Sequence, residues 1–270
     1  MRRSVRTSDG VYLAVVEFGG DGPPVLLLHG LMGRATTWWQ QARWLAAHGR
    51  VLAFDARGHG RSQAAGPWTT ERMAADAAEV LEQAGAGPAV VIGHSMGGLH
   101  GLVLAARRPD LVRALVVEDM AVDFRDATGR SVDDARAWFG AVPQPFGSLA
   151  AVRQAFGHPR PEFGDYMAEC VEERADGYHL LTRVDDAVRI AAEWAAADQW
   201  AAVGAVRCPT LLIEAEQSVA PAGHMFELAR RIPGARHARI PGTGHLVHAA
   251  APDAYRATVE KFLAAVREVR

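Results

Sequence analysis

The stretch AVVIGHSMGGLHGLVLAAR, residues 89–107, constrains the fold more than any other. Ala89–Ile92 is a short, unbroken apolar run, the pattern of a strand covered on both faces in a parallel sheet. A glycine-rich turn follows at once, and a helical run then extends from about Met96 to Arg107. The same strand–helix alternation recurs upstream. Val11–Phe18 is β-like, and Val25–Leu28 is a second solid apolar run, ended by His29-Gly30. Thr37–Ala47 reads as a helix, Arg50–Phe54 as a strand ending at Asp55, and Thr70–Ala84 as a helix with Met73, Ala77, Val80 and Leu81 on one side. Leu111–Val117 is the next strand. This order predicts a doubly wound α/β domain that binds its ligand at the carboxyl ends of the strands.

The alternation stops between about Ala121 and Ala202, where no good strand is evident. Short helical pieces are expected there, at Val132–Phe139, Leu149–Phe156, Glu162–Arg174 and Asp185–Trp200, separated by the turn signals PQPFG and GHPRP. The α/β pattern resumes with strands at Pro209–Ile213 and His237–Ile240 and helices at Ala222–Ile232 and Pro252–Val269, the last with Tyr255, Val259, Phe262, Leu263 and Val266 along one amphipathic stripe. A helical insertion, taken as residues 122–202, thus interrupts one core formed by residues 1–121 and 203–270.

Composition narrows the function. With 270 residues, 49% hydrophobic and 22% charged, the chain is an ordinary globular one. A net charge of −2 gives no reason to expect a nucleic-acid partner. No apolar run approaches membrane-span length, and the basic start MRRSVRTSDG has no apolar segment after it, so neither a membrane span nor a signal peptide is expected. Cys170 and Cys208 lack CxxC spacing and read as thiols of a reducing, cytoplasmic compartment. A homodimer stays open.

GHSMGG at Gly93–Gly98 matches G-x-S-x-G in the strand–turn–helix context that the motif requires, which makes Ser95 the candidate nucleophile. An oxyanion formed there needs fixed N–H donors. The amide of Met96 can supply one, and the amide of Leu31, in HGLMG at His29–Gly33, the other. GTGHLVH at Gly242–His248 follows the last strand, and its glycines let His245 swing over the sheet edge as the base. His248 reads as a helical or surface residue. A His-x-x-His zinc pair would lack a third ligand, so neither a metal nor an organic cofactor is expected.

HGLMG, DARGHGRS at Asp55–Ser62, GHSMGG, the restart CPTLLI and the GTGH loop stand in the order found in the α/β-hydrolase superfamily, which the chain resembles over nearly all of its length outside the insertion. The resemblance implies a mostly parallel eight-stranded sheet with helices on both faces and a helical cap. It implies a scaffold role for Arg57 and His59, and an esterase-like serine hydrolase.

One feature departs from the family pattern. The strand PTLLI is usually followed by x-G-x-x-D; here those positions read Glu214, Ala215, Glu216, Gln217 and Ser218. Some capped members place the acid after the sixth strand instead, and ALVVED ends in Glu118-Asp119. Side chains alternate along a strand, so the two should point to opposite faces and only one can serve. The family pattern puts the acid on Asp119. Glu118, Glu214 and Glu216 are the alternatives, and a chain with no acid is a further one. Trp38, His94, Phe124, Trp138 and Phe139 are candidate pocket residues; cap aromatics such as Phe124, Trp138, Phe139, Phe146 and Trp194 more often form the cap's own core, and Trp38 suits helix packing equally well. The function expected is hydrolysis of carboxylic (or thio) esters with small to medium acyl chains. C–C bond hydrolysis or a related lyase step, and a non-catalytic binding role, are the alternatives.

Overall fold

The computed structural model describes residues 2–125, 136–137, 140–142 and 144–268. The chain runs through β1 (Arg2–Arg6), β2 (Tyr12–Gly19), β3 (Pro24–Leu28), a 3-10 turn (Ala35–Trp38) leading into α1 (Trp39–Leu45), β4 (Arg50–Phe54), α2 (Thr70–Gln83), β5 (Ala89–His94), α3 (Met96–Arg107) and β6 (Val112–Glu118). The inserted segment holds α4 (Leu149–Phe156), α5 (Pro161–Ala168), β7 (Val171–Arg174), β8 (Gly177–Leu180), α6 (Val184–Ala196) and α7 (Trp200–Ala205). The chain then returns through β9 (Thr210–Ala215), α8 (His224–Arg231), β10 (Arg236–Ile240), α9 (Val247–Ala250) and α10 (Pro252–Glu268).

Eight strands form one sheet in the order β1-β2-β4-β3-β5-β6-β9-β10. β2 is antiparallel to β1 and β4, and the remaining neighbours are parallel. The sheet is covered on both faces, and the strand period of two decides which residue faces which layer. Leu26, Leu28, Val91, Leu115 and Val117 pack with Met73 and Ala77 of α2 and Leu102 of α3. Val25, Leu27, Val90, Ile92 and Val116 pack with Leu45 of α1 and Tyr255, Val259, Phe262, Leu263 and Val266 of α10. Both amphipathic stripes expected on α2 and α10 are therefore buried. Each large aliphatic side chain so covered contributes about 1.5–3 kcal/mol.

The strand order fixes where a site can form. From β3 the chain steps to β4 on one side and then crosses to β5 on the other. The loops leaving β3 and β5 therefore diverge at the carboxyl edge, the place where such sheets bind ligands. β6, β9 and β10 follow in turn, so the loops after five adjacent strands share that edge.

Three expectations need correction. Glu162–Arg174 is not one helix: α5 ends at Ala168, and β7 pairs antiparallel with β8 to form a hairpin inside the insertion, where no strand was expected. Glu and Arg are good helix formers, but the main chain of Phe146 bonds to that of Tyr178 in both directions (2.9 and 2.8 Å), so a third segment completes the ribbon. This long-range pairing overrides local propensity. The basic N-terminal segment is also a strand. Val5 points into the core, and arginines occupy the sheet edge, where charge discourages further pairing. The helix expected over Asp185–Trp200 ends at Ala196, where Ala197 turns to an extended conformation, and Trp200 instead begins α7. The helix expected at Val132–Phe139 falls largely outside the described residues, as do Trp138 and Phe139.

The insertion has its own core, in which Phe146, Val152, Phe156, Tyr166, Met167 and Leu180 meet Met32 and Leu246 of the main domain. Among the described residues, no helix is long and apolar enough to cross a membrane, and both cysteines are free.

Candidate active site

Ser95 stands between β5 and α3 with φ 53° and ψ −123°, outside the regions that L-residues favour. Glycines make this turn possible. A Cβ on Gly93 would lie 2.2 Å from Gly97 O, and one on Gly97 would lie 2.2 Å from Leu28 O. The serine amide donates to Glu118 O at 2.8 Å, which ties the elbow to the end of β6.

The loop after β3 lies against this elbow: a Cβ on Gly30 would be 3.3 Å from Ser95 Cβ. His29 fixes the loop. Its Nε2 accepts the Ala56 amide at 2.9 Å, so its proton sits on Nδ1, which donates to Gly30 O at 2.8 Å. Burial lowers its pKa to about 4, and the ring is neutral near pH 7. Asp55 orders the neighbouring turn by accepting the Ala35 and Arg61 amides at 2.6 and 2.7 Å. Arg57 is wholly buried on Asp76 and Asp9, with contacts of 2.6 and 3.0 Å, and His59 is buried beside His29. DARGHGRS is thus a braced turn beneath the candidate oxyanion loop. The amides of Leu31 and Met96 donate to no carbonyl or carboxylate among the described residues.

The loop after β10 carries His245. Its Nδ1 donates to Asp119 Oδ2 at 2.7 Å, which leaves the Nε2 lone pair available to a proton donor. Asp119 is fully buried, and the described residues give its carboxylate several further partners. The amides of Ala215 and Val219 donate at 3.0 and 3.1 Å, and the Ser218 hydroxyl also donates. Burial alone would raise the Asp119 pKa; the His245 contact and these donors outweigh it and hold the carboxyl below its usual range. Ser218, the residue at the position where the acid was missing, therefore supports the carboxylate of the neighbouring strand.

The other acidic candidates point elsewhere. Glu118 is fully buried but binds His248, not His245. Glu214 binds His237 at 2.7 Å, and Glu216 accepts the Gly242 amide at 2.8 Å. The consecutive residues Glu118 and Asp119 thus hold different histidines, Glu118 as the last residue of β6 and Asp119 from the left-handed position just after it, rather than by the alternation of one strand. His248 is helical, on α9, but it is buried rather than at the surface.

Among the described residues, Met32 (φ 65°), Ser95 (φ 53°) and Asp119 (φ 48°) are the non-glycine residues with positive φ. They follow β3, β5 and β6, three neighbours in the sheet. Backbone strain of about 1–3 kcal/mol per residue is thus gathered at one edge of the sheet.

The pocket candidates divide. Trp38 is a core residue stacked on His248, with ring centroids 4.5 Å apart. His94 is a strut: its Nε2 donates to His245 O at 3.0 Å, and burial holds its pKa well below the usual value, so it is neutral. Phe124 is partly buried beside Trp194, and Phe146 belongs to the insertion's core. Sequence reasoning missed Arg160 of the insertion, which binds Gln217 Oε1 at 2.6 Å and Gly242 O at 3.3 Å. It joins the loops after β9 and β10, a contact that no local motif announces. No group of three or more His, Cys, Asp or Glu side chains among the described residues is arranged to hold a metal ion.

Comparison with known proteins agrees with this architecture. The family model described as alpha/beta hydrolase fold matches residues 23–252. Lipase LipV of Mycobacterium tuberculosis is 42% identical over 124 residues, 46% of this chain and 47% of that protein. The putative carbamate hydrolase RutD of Azorhizobium caulinodans is 31% identical over 243 residues, covering 88% of this chain and 90% of that one. Among solved structures, E-2-(acetamidomethylene)succinate hydrolase superposes with a TM-score of 0.86 over 97% of this chain and 98% of its own; at 24% identity the likeness is one of fold. The chain belongs to the α/β-hydrolase fold family.

Proposed function

We propose that the protein is a serine hydrolase of carboxylic or thio esters with small to medium acyl chains, acting through Ser95, His245 and Asp119. The observation that carries this reading is the 2.7 Å contact from His245 Nδ1 to a buried carboxylate, on a loop held by His94, the residue that precedes the elbow serine. Similarity to a relative named as a lipase supports the ester as the bond attacked.

In the proposed reaction His245 Nε2 takes the proton of Ser95 Oγ as the oxygen adds to the ester carbonyl. Asp119 stabilises the imidazolium that results. The amides of Leu31 and Met96 receive the negative charge on the former carbonyl oxygen. When the tetrahedral intermediate collapses, His245 returns the proton to the leaving alcohol and an acyl-serine remains. Water then gives a proton to His245 as it attacks the acyl carbon; when this second tetrahedral intermediate collapses, His245 returns that proton to Ser95 Oγ and the acid is released. The test is a fluorophosphonate probe together with a series of p-nitrophenyl esters of increasing chain length. Labelling at Ser95 that is abolished in Ser95→Ala, with turnover of short and medium esters, is the expected result. An unlabelled Ser95 in excess probe defeats the reading.

A further inference from the structure

The end of β6 presents two consecutive buried carboxylates, and the proposed reaction uses one. The other, Glu118, is fully buried and accepts twice from the loop that carries His245. The His248 amide donates to Glu118 Oε1 at 3.0 Å, and His248 Nδ1 lies 2.9 Å from both carboxylate oxygens. The His248 carbonyl is held as well, by Gln41 Nε2 at 2.8 Å. Trp38 covers one face of the His248 ring, and His94 fills the space between His248 and His245, with ring centroids 5.2 and 4.6 Å away.

This arrangement is costly as mere packing. Taking a carboxylate out of water costs several kcal/mol, and apolar side chains of similar volume would fill the space without that cost. What they would lack is directional grip. His245 needs it, because Gly242 (φ 73°) lies three residues before it and its own side chain is 29% exposed. The hydrogen bond to Asp119 fixes the imidazole and His94 Nε2 holds the His245 carbonyl at 3.0 Å, but neither contact reaches the helical turn that follows and sets the course of the loop.

We infer that Glu118 and His248 form a positioning pair: Glu118 anchors the main chain of the histidine loop through His248 and so sets where His245 stands relative to Ser95. The inference rests on the proposed Ser95–His245 chemistry. β6 then grips one loop at two points three residues apart, with Asp119 on the reacting imidazole and Glu118 on the helical turn behind it.

The experiment measures kcat and KM for p-nitrophenyl butyrate, normalised to sites titrated with a fluorophosphonate, so that unfolded protein does not count. A displacement of about 1 Å in a catalytic group costs on the order of 10²-fold, so Glu118→Gln and His248→Leu should each lower kcat per titrated site by about 10- to 100-fold with KM near the wild-type value. His248→Gln keeps an N–H for Glu118 and should recover most of kcat. Unchanged kcat per site in both Glu118→Gln and His248→Leu overturns the inference, however far Tm falls. Should His248→Leu not fold, Glu118→Gln and Gln41→Leu decide on the same readout, and unchanged kcat in both again overturns it. A wild-type protein that titrates no site defeats the Ser95 reading itself, a result distinct from these.

Discussion

At the scale of single residues, the proposed site is defined by how one carboxylate is held. Asp119 has no exposure and faces His245 from a strand end that lies between the elbow and the loop after β9. Asp119→Asn keeps the shape but no longer stabilises an imidazolium, so kcat should fall by about 10²- to 10⁴-fold. Glu216→Gln, whose side chain meets the Gly242 amide and not His245, should change kcat little. Ester hydrolysis by the purified variants checks both, and the reverse pattern would move the acid to Glu216. Ser95 and His245 were legible in the sequence because each sits in a short motif whose glycines announce the turn. Asp119 needed a longer argument from the missing aspartate, the ALVVED strand end and the family resemblance. The Glu118–His248 contact was not legible. It joins residues 130 positions apart, and no local pattern distinguishes a buried histidine on a short helix from an exposed one.

At the scale of elements, β3, β5 and α3 approach so closely that side chains are excluded from the contact. A Cβ on Gly97 would meet Leu28 O at 2.2 Å, whereas one on Gly101, a turn further along α3, would meet only side chains, the nearest at 3.2 Å. Gly97→Ala should therefore destabilise by about 3 kcal/mol or more, and Gly101→Ala by much less, as thermal unfolding of the two variants will show. Alternation of buried strands with amphipathic helices made the main domain readable in advance, since Val90–Ile92 and the stripe on α10 each encode their burial. The insertion was less readable. Its hairpin depends on Phe146 pairing with Tyr178, and its charged residues favour a helix until that partner is known.

At the scale of the whole molecule, acid should unfold the protein through its interior histidines. Burial lowers His29 to about 4 and both His59 and His100 to about 3, against an unfolded value near 6.5. Below that value the unfolded chain binds protons that the folded chain refuses. Stability is thus fully present above pH 6.5 and falls as pH drops toward 4, by roughly 1.4 kcal/mol per histidine per pH unit. Calorimetry from pH 7 to 4 should show Tm dropping steadily, with a shallower slope in His100→Leu; equal slopes would remove His100 from the account. A different consequence follows from the donors around Asp119. The amides of Ala215 and Val219 and the Ser218 hydroxyl already surround one negative charge. An aspartate at position 218 would bring a second charge against the same imidazole, where two carboxylates cannot both stay ionised at little cost. Ser218→Asp alone should lower turnover, and Asp119→Ser combined with Ser218→Asp should exceed either single variant. On the proposed chemistry the two placements of the acid are rivals for one seat, so a route from one to the other by single substitutions passes through a less active variant.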